Sequence, residues 1–359
     1  MTLQISYTAD ALAAVRGGSD HKLRYLDDLE IVADVDLERI AGWRGATLHF
    51  NVLNNLGRRP NDGVGTLQGV DNIEVSRTRL KLLEFWLEQS FGENVSLLVG
   101  LYDLNSEFYA NDSAGLLIGP AFGVGSEVAA TGPNGPSLFP STAPALRLNL
   151  RLGATGYARI GVFNARAGVP GDDGGVDLTF DDGVLMIGEV GIEGEGKLAM
   201  GAWRYSKRQE DLRDLDPSGA PRRRRVGGAY LLAERPILRT KSDATVTAFL
   251  RGGVSDGRTT PFAASWQAGV LIAHVVASRP DSQLSFGIAQ GNLSRRVRRN
   301  QADAGIAPTA TETSFELTYA DRLGAHLTVQ PDIQYIRHPG GDGGARDAIV
   351  PGLRIVIEF

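Results

Sequence analysis

Charged and amide side chains recur at every second position along this chain. Asp28, Glu30, Asp34, Asp36 and Glu38 form one row, Thr47, His49 and Asn51 a second, and Glu84, Trp86 and Glu88 a third. Arg147, Asn149 and Arg151 form another, with Arg159 on the segment that follows. His326, Thr328, Gln330, Asp332 and Gln334, then Arg354 and Glu358, close the series. A spacing of two places each row on one face of a β-strand. Such rows present charge together with hydrogen-bond donors and acceptors. They can hold polyhydroxylated or ionic solutes without making or breaking a covalent bond. Nucleophilic catalysis would need a Ser or Cys beside a His with an orienting partner. The chain has no Cys and only five His. His49 and His326 belong to the rows just named, His21 and His338 fall in loop-like segments, and His274 lies among apolar residues.

The positions between the charged ones are apolar. Leu29, Ile31, Ala33, Val35 and Leu37 alternate with the first row, and Leu48, Phe50 and Val52 with the second. The same period runs through Leu83-Phe85-Leu87, Val95-Leu97-Val99-Leu101, Leu146-Leu148-Leu150-Leu152, Val246-Ala248-Leu250, Leu284-Phe286-Ile288, Phe315-Leu317-Tyr319, and Leu327-Val329 with Ile333 and Tyr335. These are strands, each with one polar and one apolar face. The 359 residues carry a net charge of −5 and a mean hydropathy of −0.12. No run of about 18 apolar residues exists, so no transmembrane helix is expected. A transmembrane β-barrel hides its membrane character, because lipid-facing and lumen-facing residues cancel in the average. The lack of Cys suits an oxidising compartment. No signal peptide is visible, and Met1 reads as an added start on a mature chain.

The connections alternate in length. Short turns are expected at Ala41-Gly42, Gly92-Glu93-Asn94, Gly153-Ala154-Thr155-Gly156, Gly194-Glu195, Arg239 to Lys241, Asp281-Ser282 and Asp321 to Gly324. Long loops are expected at roughly 54–71, 104–142, 165–181, 206–223, 252–261, 291–308 and 337–347, with a brief first one from Gly17 to His21. Short turns on one side and long loops on the other characterise outer-membrane barrels, whereas a β-sandwich has no reason to keep the alternation. With Leu3 to Val15 as a first strand, the count is sixteen, and both termini fall on the periplasmic side. The last strand carries Leu353, Ile355, Ile357 and Phe359 on one face, and the terminal aromatic suits a bilayer interface. Trp43, Phe91, Tyr319 and Phe359 near the turns, and Tyr25, Tyr102, Tyr205, Tyr230 and Trp266 near the loops, suggest two aromatic girdles. The expected fold is all-β: a transmembrane antiparallel barrel of about sixteen strands, forming a single domain over 1–359 in a bacterial outer membrane.

Three segments resemble one family. Gln330-Pro331-Asp332-Ile333-Gln334-Tyr335, running into Pro339-Gly340-Gly341, resembles the penultimate strand and loop of the carbohydrate-selective, OprB-type porins of Gram-negative outer membranes. Gly42-Trp43-Arg44-Gly45 followed by Leu48-His49-Phe50 resembles that family's W-x-G turn, and Gly100-Leu101-Tyr102-Asp103-Leu104-Asn105-Ser106-Glu107-Phe108 resembles the entry to its long loop. The resemblance implies a sixteen-stranded porin passing sugars by facilitated diffusion, with no covalent chemistry and no cofactor. The chain lacks the long N-terminal segment of some members.

A porin's function lies in a pore width, a field and hydrogen-bonding side chains. Parity then selects the candidates. Glu30, Asp34, Asp36, His49, Glu84, Trp86 and Glu88 form an acidic sector; Arg147, Arg151 and Arg159 form a basic one; Gln330, Asp332 and Arg354 come from the last strands. Opposite charges across a narrow lumen would set up a transverse field. Placing such charges on the lipid face instead would cost about 2–4 kcal/mol each at midplane. The 104–142 loop is expected to fold inward, with Glu107, Asn111 and Asp112 at its rim; the alternative is a loop that only covers the mouth. Arg222 to Arg225, and Arg295-Arg296 with Arg298-Arg299, could meet anionic glycolipid, attract anions to the mouth, or simply pair with Glu210, Asp211 and Asp214. A pI near 5.6 argues against nucleic acid. Asp172-Asp173 and Asp181-Asp182 could hold Ca²⁺, although turn chemistry explains them better, and Gly194-Glu195-Gly196 reads as a hairpin turn rather than a phosphate loop. The expected partners are small solutes, sugars foremost, and outer-membrane lipids, in a trimer or a monomer. Alternatives are a general or organic-anion porin, and, from another class, a structural or hydrolytic barrel.

Overall fold

In the computed structural model, residues 1–173, 175–240 and 244–359 are described. The ascending and descending strands are β1 (Thr2–Leu12), β2 (Arg24–Asp36), β3 (Ala46–Gly57), β4 (Arg79–Phe91), β5 (Val95–Tyr102) and β6 (Ala143–Leu152). They continue as β7 (Gly156–Asn164), β8 (Val184–Glu193) and β9 (Lys197–Tyr205). A short hairpin, β10 (Gln209–Leu215) and β11 (Pro221–Arg224), interrupts the series. Then come β12 (Gly227–Arg239), β13 (Thr245–Ser255), β14 (Phe262–Ala273), β15 (Gln283–Leu293), β16 (Thr311–Leu323), β17 (Leu327–Arg337) and β18 (Ala348–Glu358). Among the described residues four α-helices lie in connections: α1 (Leu37–Ala41), α2 (Asn61–Val64), α3 (Ser126–Ala129) and α4 (Arg295–Asp303).

All strands except β10 and β11 close into one antiparallel barrel of sixteen, each paired with its chain neighbours. β1 pairs with β18, from Ser6 opposite Glu358 to Leu12 opposite Gly352. Closure removes every free sheet edge, and this is what lets strands cross a bilayer without stranding backbone polar groups. The two faces sort by chemistry. Leu146, Ile160, Val190, Leu198, Leu231, Leu250, Phe286, Leu317 and Leu353 are exposed on the outer wall, while Arg147, Glu189, Arg251, Gln267, Glu316, Gln334 and Arg354 are buried inside.

Several expected boundaries move for identifiable reasons. The first strand ends at Leu12, although single backbone bonds from Ala13 and Val15 still reach β18. β2 ends at Asp36, because the Asp36 carboxylate accepts hydrogen bonds from the N–H groups of Glu38 and Arg39 and starts α1, which Gly42 ends with φ of 71°. Asp36, the last residue of β2, therefore commits its carboxylate to capping α1, and Leu37 and Glu38 leave the alternation. Of the loop-side aromatics, Tyr102, Tyr205 and Tyr230 point inward and are buried, so they do not belong to a girdle. The expected turn from Arg239 to Lys241 ends on a residue outside those described, and the 165–181 loop contains one such residue, Gly174.

At the barrel seam, Arg354 on β18 donates to Asp10 on β1 at 2.6 Å and to Asn72 at 2.7 Å, and its guanidinium lies 3.7 Å from Asp71. Replacing Arg354 with Ala strands two buried carboxylates and should cost about 3–5 kcal/mol. Urea titration of the barrel refolded in liposomes measures this; Arg354→Lys, which keeps the charge, should recover part of the loss.

Candidate functional site

The interior is built by two loops that turn into the barrel. The longer, residues 103–142, starts at Asp103. Its carboxylate accepts from the N–H of Asn105 at 2.7 Å and of Phe139 at 2.9 Å, stapling the two ends of the loop together. Burial pushes the Asp103 carboxyl up to about 6 in spite of those two donors. From there the loop crosses the inner face of the wall, and wall side chains satisfy its backbone. Glu189 on β8 accepts from Tyr109 N at 2.9 Å. Lys197 on β9 donates to Ala110 O at 2.8 Å. Glu234 on β12 accepts from Ser113 N at 2.6 Å. Glu316 on β16 accepts from the backbone N–H groups of Ile118 and Gly119, and Gln330 on β17 donates to Leu116 O at 2.7 Å.

Arg251 on β13 stands at the centre of this arrangement and is 2% exposed. Its guanidinium donates to Tyr109 O at 3.1 Å, Asn111 Oδ1 at 3.0 Å, Gly123 O at 2.8 Å and Ala121 O at 3.3 Å. Gln267 on β14 accepts the remaining bond at 3.0 Å. The loop also carries its own apolar core into the lumen: Leu104, Phe108, Tyr109, Val124 and Val128 pack with Trp203, Tyr205 and Tyr230 of the wall. Two wall glycines make room for it. A Cβ at Gly287 would sit 2.6 Å from Leu117 and Phe122, and one at Gly253 would sit 2.1 Å from the Glu127 carboxylate. Burial raises the carboxyl of Glu127, while the hydroxyls of Ser265 and Tyr109 that bond it act in the opposite sense.

The second loop, residues 58–78, comes in from the other side. Glu312 on β16 accepts from the N–H of Leu67 and of Gln68, and Gln334 on β17 donates to Val70 O at 2.8 Å. Burial and the nearby Asp10 charge raise the Asp71 carboxyl, against the pull of Arg354. The two loops meet where Ser126 Oγ donates to Gln68 Oε1 at 3.0 Å.

Together the loops cover the inner face from β8 round to β18. The longer loop also rests on β4–β7, where Asp103 N donates to Glu84, Arg159 donates to Glu107 O and Phe108 packs on Phe163; most of the sequence-selected residues stand on β2–β7 beside it. His49 Nδ1 lies 2.8 Å from Asp34 Oδ1, and Nε2 lies 3.8 Å from Glu84. The His49 ring stacks on Trp86 at 4.4 Å and 5°. Glu30 accepts from Asn51 at 2.7 Å. Arg147, 3% exposed, sits between Glu88 at 2.9 Å and Glu107 at 2.7 Å. Arg159 lies 3.9 Å from Glu107, 3.8 Å from Glu189 and 4.0 Å from Glu193. Arg151 is exposed near the short-turn end. The acidic and basic sectors thus touch along neighbouring strands and do not face each other across the pore.

Four sequence-selected residues land elsewhere. Gln330, Asp332 and Arg354 face inward but are buried under the loops, and Asn111 is held between Arg251 and Glu234. Asp112 is exposed on the loop. Residues that parity could have supplied, and that the sequence reading passed over, are Glu189, Glu234, Arg251, Glu312 and Glu316. All but Glu312, which stands between Thr311 and Thr313, flank an outward apolar residue, as Arg251 follows Leu250. The Ca²⁺ candidates are engaged otherwise: Asp172 pairs with Arg77 and Arg79, and Asp182 with Arg166 at 2.7 Å. Gly194–Gly196 is the β8–β9 turn.

Comparison with known proteins matches residues 20–359 to the family model "Carbohydrate-selective porin, OprB family". The chain is 24% identical over 400 residues to Porin B of Pseudomonas aeruginosa, covering 99% of this chain and 87% of that protein. Its fold is similar to the high-pH structure of Pseudomonas putida OprB, with a TM-score of 0.88, 22% identity, and coverage of 100% of this chain and 94% of that one. It also resembles the anion-selective porin from Comamonas acidovorans, with a TM-score of 0.58, 12% identity, and coverage of 100% and 99%.

Replacing Arg251 with Ala leaves Tyr109, Ala121 and Gly123 carbonyls without their donor, at roughly 1–3 kcal/mol for each that stays buried. The loop should loosen while the barrel stays closed. Planar-bilayer recordings of Arg251→Ala should show larger, noisier unitary currents than the parent, with the folded band on unheated gels retained.

Proposed function

This chain belongs to the OprB family of carbohydrate-selective porins, and we propose that sugars cross its lumen past the polar face of β2–β7. It is an outer-membrane channel for passive diffusion of small hydrophilic solutes, with sugar selectivity, and it is not an enzyme. The observation that carries the proposal is the chain of paired charges Glu88–Arg147–Glu107, continued by Arg159. Pairing cancels most of the net field that would trap an ion. It leaves the partly exposed Glu88, Glu107 and Arg159 side chains able to exchange hydrogen bonds with sugar hydroxyls, while the buried Arg147 holds the two carboxylates in place. Trp86, stacked on His49 and flanked by Glu30, Asp34 and Glu84, offers an aromatic surface for the apolar face of a pyranose. On this reading Glu30, Asp34, Trp86, Glu88, Glu107 and Arg159 contact the solute, and the buried His49, Glu84 and Arg147 position them. Asn111 shapes the loop, and Gln330, Asp332 and Arg354 support it. Asp112 stands at the rim.

Two further points accompany the proposal. Both termini lie at the short-turn end, which supports a periplasmic location for each. Residues 1–359 read as a single barrel domain. A second reading, preference for small organic anions, draws on Arg151, which is exposed and makes no ion pair among the described residues.

The test is current block in planar bilayers. Glucose at millimolar concentration should interrupt the open current. Glu107→Gln and Arg147→Ala should each weaken that block by roughly ten-fold, the worth of one charge-assisted hydrogen bond. Block by a small carboxylate with none by glucose, abolished in Arg151→Ala, would replace the sugar reading with the anion reading.

A further inference from the structure

We propose that the outer wall over β7–β13 is a docking site for a phosphorylated outer-leaflet lipid, with an acyl chain in a wall groove and phosphate among arginines above it. This rests on the outer-membrane reading, which puts the long loops outside the cell. Two independent features meet here.

The first is a groove of about 740 Å³ on the outer wall. Its floor is Ala158, Gly188, Ala202, Ala229 and Gly252. Gly188, Ala202 and Ala229 are direct cross-strand partners, so the missing side chains fall side by side on neighbouring strands. Larger side chains on the same strands, Ile160 and Met200 among them, stand as its walls. The groove crosses the strands obliquely, from Ala158 near the short-turn end of β7 and Gly188 in the middle of β8 to Val254, which is next to Ser255 at the loop end of β13. That loop end corresponds to the outer leaflet.

The second feature is charge. A cavity of about 340 Å³ is lined by Arg258, Arg295, Arg296 and Arg299, with Asp256 as its one carboxylate. Arg296 is neutralised by Asp211 at 3.2 Å and Asp214 at 2.5 Å, which also hold Arg224. Arg258, Arg295 and Arg299 make no ion pair among the described residues. Arg204, exposed and likewise unpaired there, is the next outward residue above Ala202. Four of the first five residues of α4 are Arg, which opposes the helix dipole and sets like charges three and four residues apart. An anion bound there relieves both. The features are continuous: Val254 lines the groove and Asp256, two residues on, lines the cavity, a rise of roughly 7 Å. An apolar slot at leaflet depth ending under unpaired guanidinium groups matches a lipid that carries phosphate on its headgroup. A second copy of this chain would cover the groove but would not neutralise the arginines.

The experiment is native mass spectrometry of the full-length channel with bis-phosphorylated lipid A, its dephosphorylated form, and inorganic phosphate. The parent should retain one phosphorylated lipid. The variant Arg258→Ala/Arg295→Ala/Arg299→Ala should bind it roughly a hundred-fold more weakly. Ala229→Trp, which fills the groove while leaving every arginine, should also lose it. Glucose block should be unchanged in all variants, which shows that they fold and separates this proposal from the sugar reading. Equal retention of the dephosphorylated form, or full retention by either variant, would overturn the site. So would retention of inorganic phosphate alone, or protein oligomers that exclude the lipid.

Discussion

One buried guanidinium organises the interior. Arg251 spends its donors on five acceptors, four of which belong to the 103–142 loop. A buried cation without a paired carboxylate is tolerable only if its N–H groups are met, and here backbone carbonyls of the loop meet them. The dependence runs both ways. The loop's carbonyls need the arginine, and its N–H groups need Glu189, Glu234 and Glu316. The wall and the loop therefore complete each other's hydrogen bonding, and the loop's route is fixed by where the wall places those few side chains.

The passage follows by subtraction. A closed barrel of sixteen strands encloses far more space than a sugar needs. The loops and their apolar core occupy the side from β8 to β18 and reach onto β4–β7, with the partly exposed charges of β2–β7 beside them. Selectivity thus depends on two populations of inward charge with different duties. One population faces loop backbone and sets width. The other, around Arg147, pairs carboxylates of the wall and of the loop with guanidinium groups, and on the proposed reading it borders the solute path.

Strand parity was legible in the sequence because the lipid enforces it: an outward charge is costly, so polar and apolar residues alternate without ambiguity from Leu146 to Leu152. Turn and loop alternation gave the topology. What parity could not give was the second shell of contacts. Arg147 and Arg251 look alike in the sequence, each following an outward Leu, yet one meets carboxylates and the other meets loop carbonyls. Only the loop's path tells them apart, and that path is set by contacts between residues 80 to 214 positions apart. Leu37 and Glu38 keep a strand-like spacing in the sequence, but the Asp36 carboxylate starts a helix there. Tyr102 was misplaced through neglect of its own strand's parity, since Leu97, Val99 and Leu101 already claim the outer face. At Gly253 and Gly287 of the wall, the space a side chain would take is filled by Glu127, Leu117 and Phe122 of the loop.

The central claim is that the pinned loops, not the barrel, set the width of the pore. Exclusion of neutral polymers of graded size from the single-channel current measures that width directly. The account predicts that polymers above disaccharide size stay outside the narrow zone and leave the conductance unaffected by entry. Free entry of polymers several times larger, as in an unobstructed barrel of sixteen strands, would contradict it.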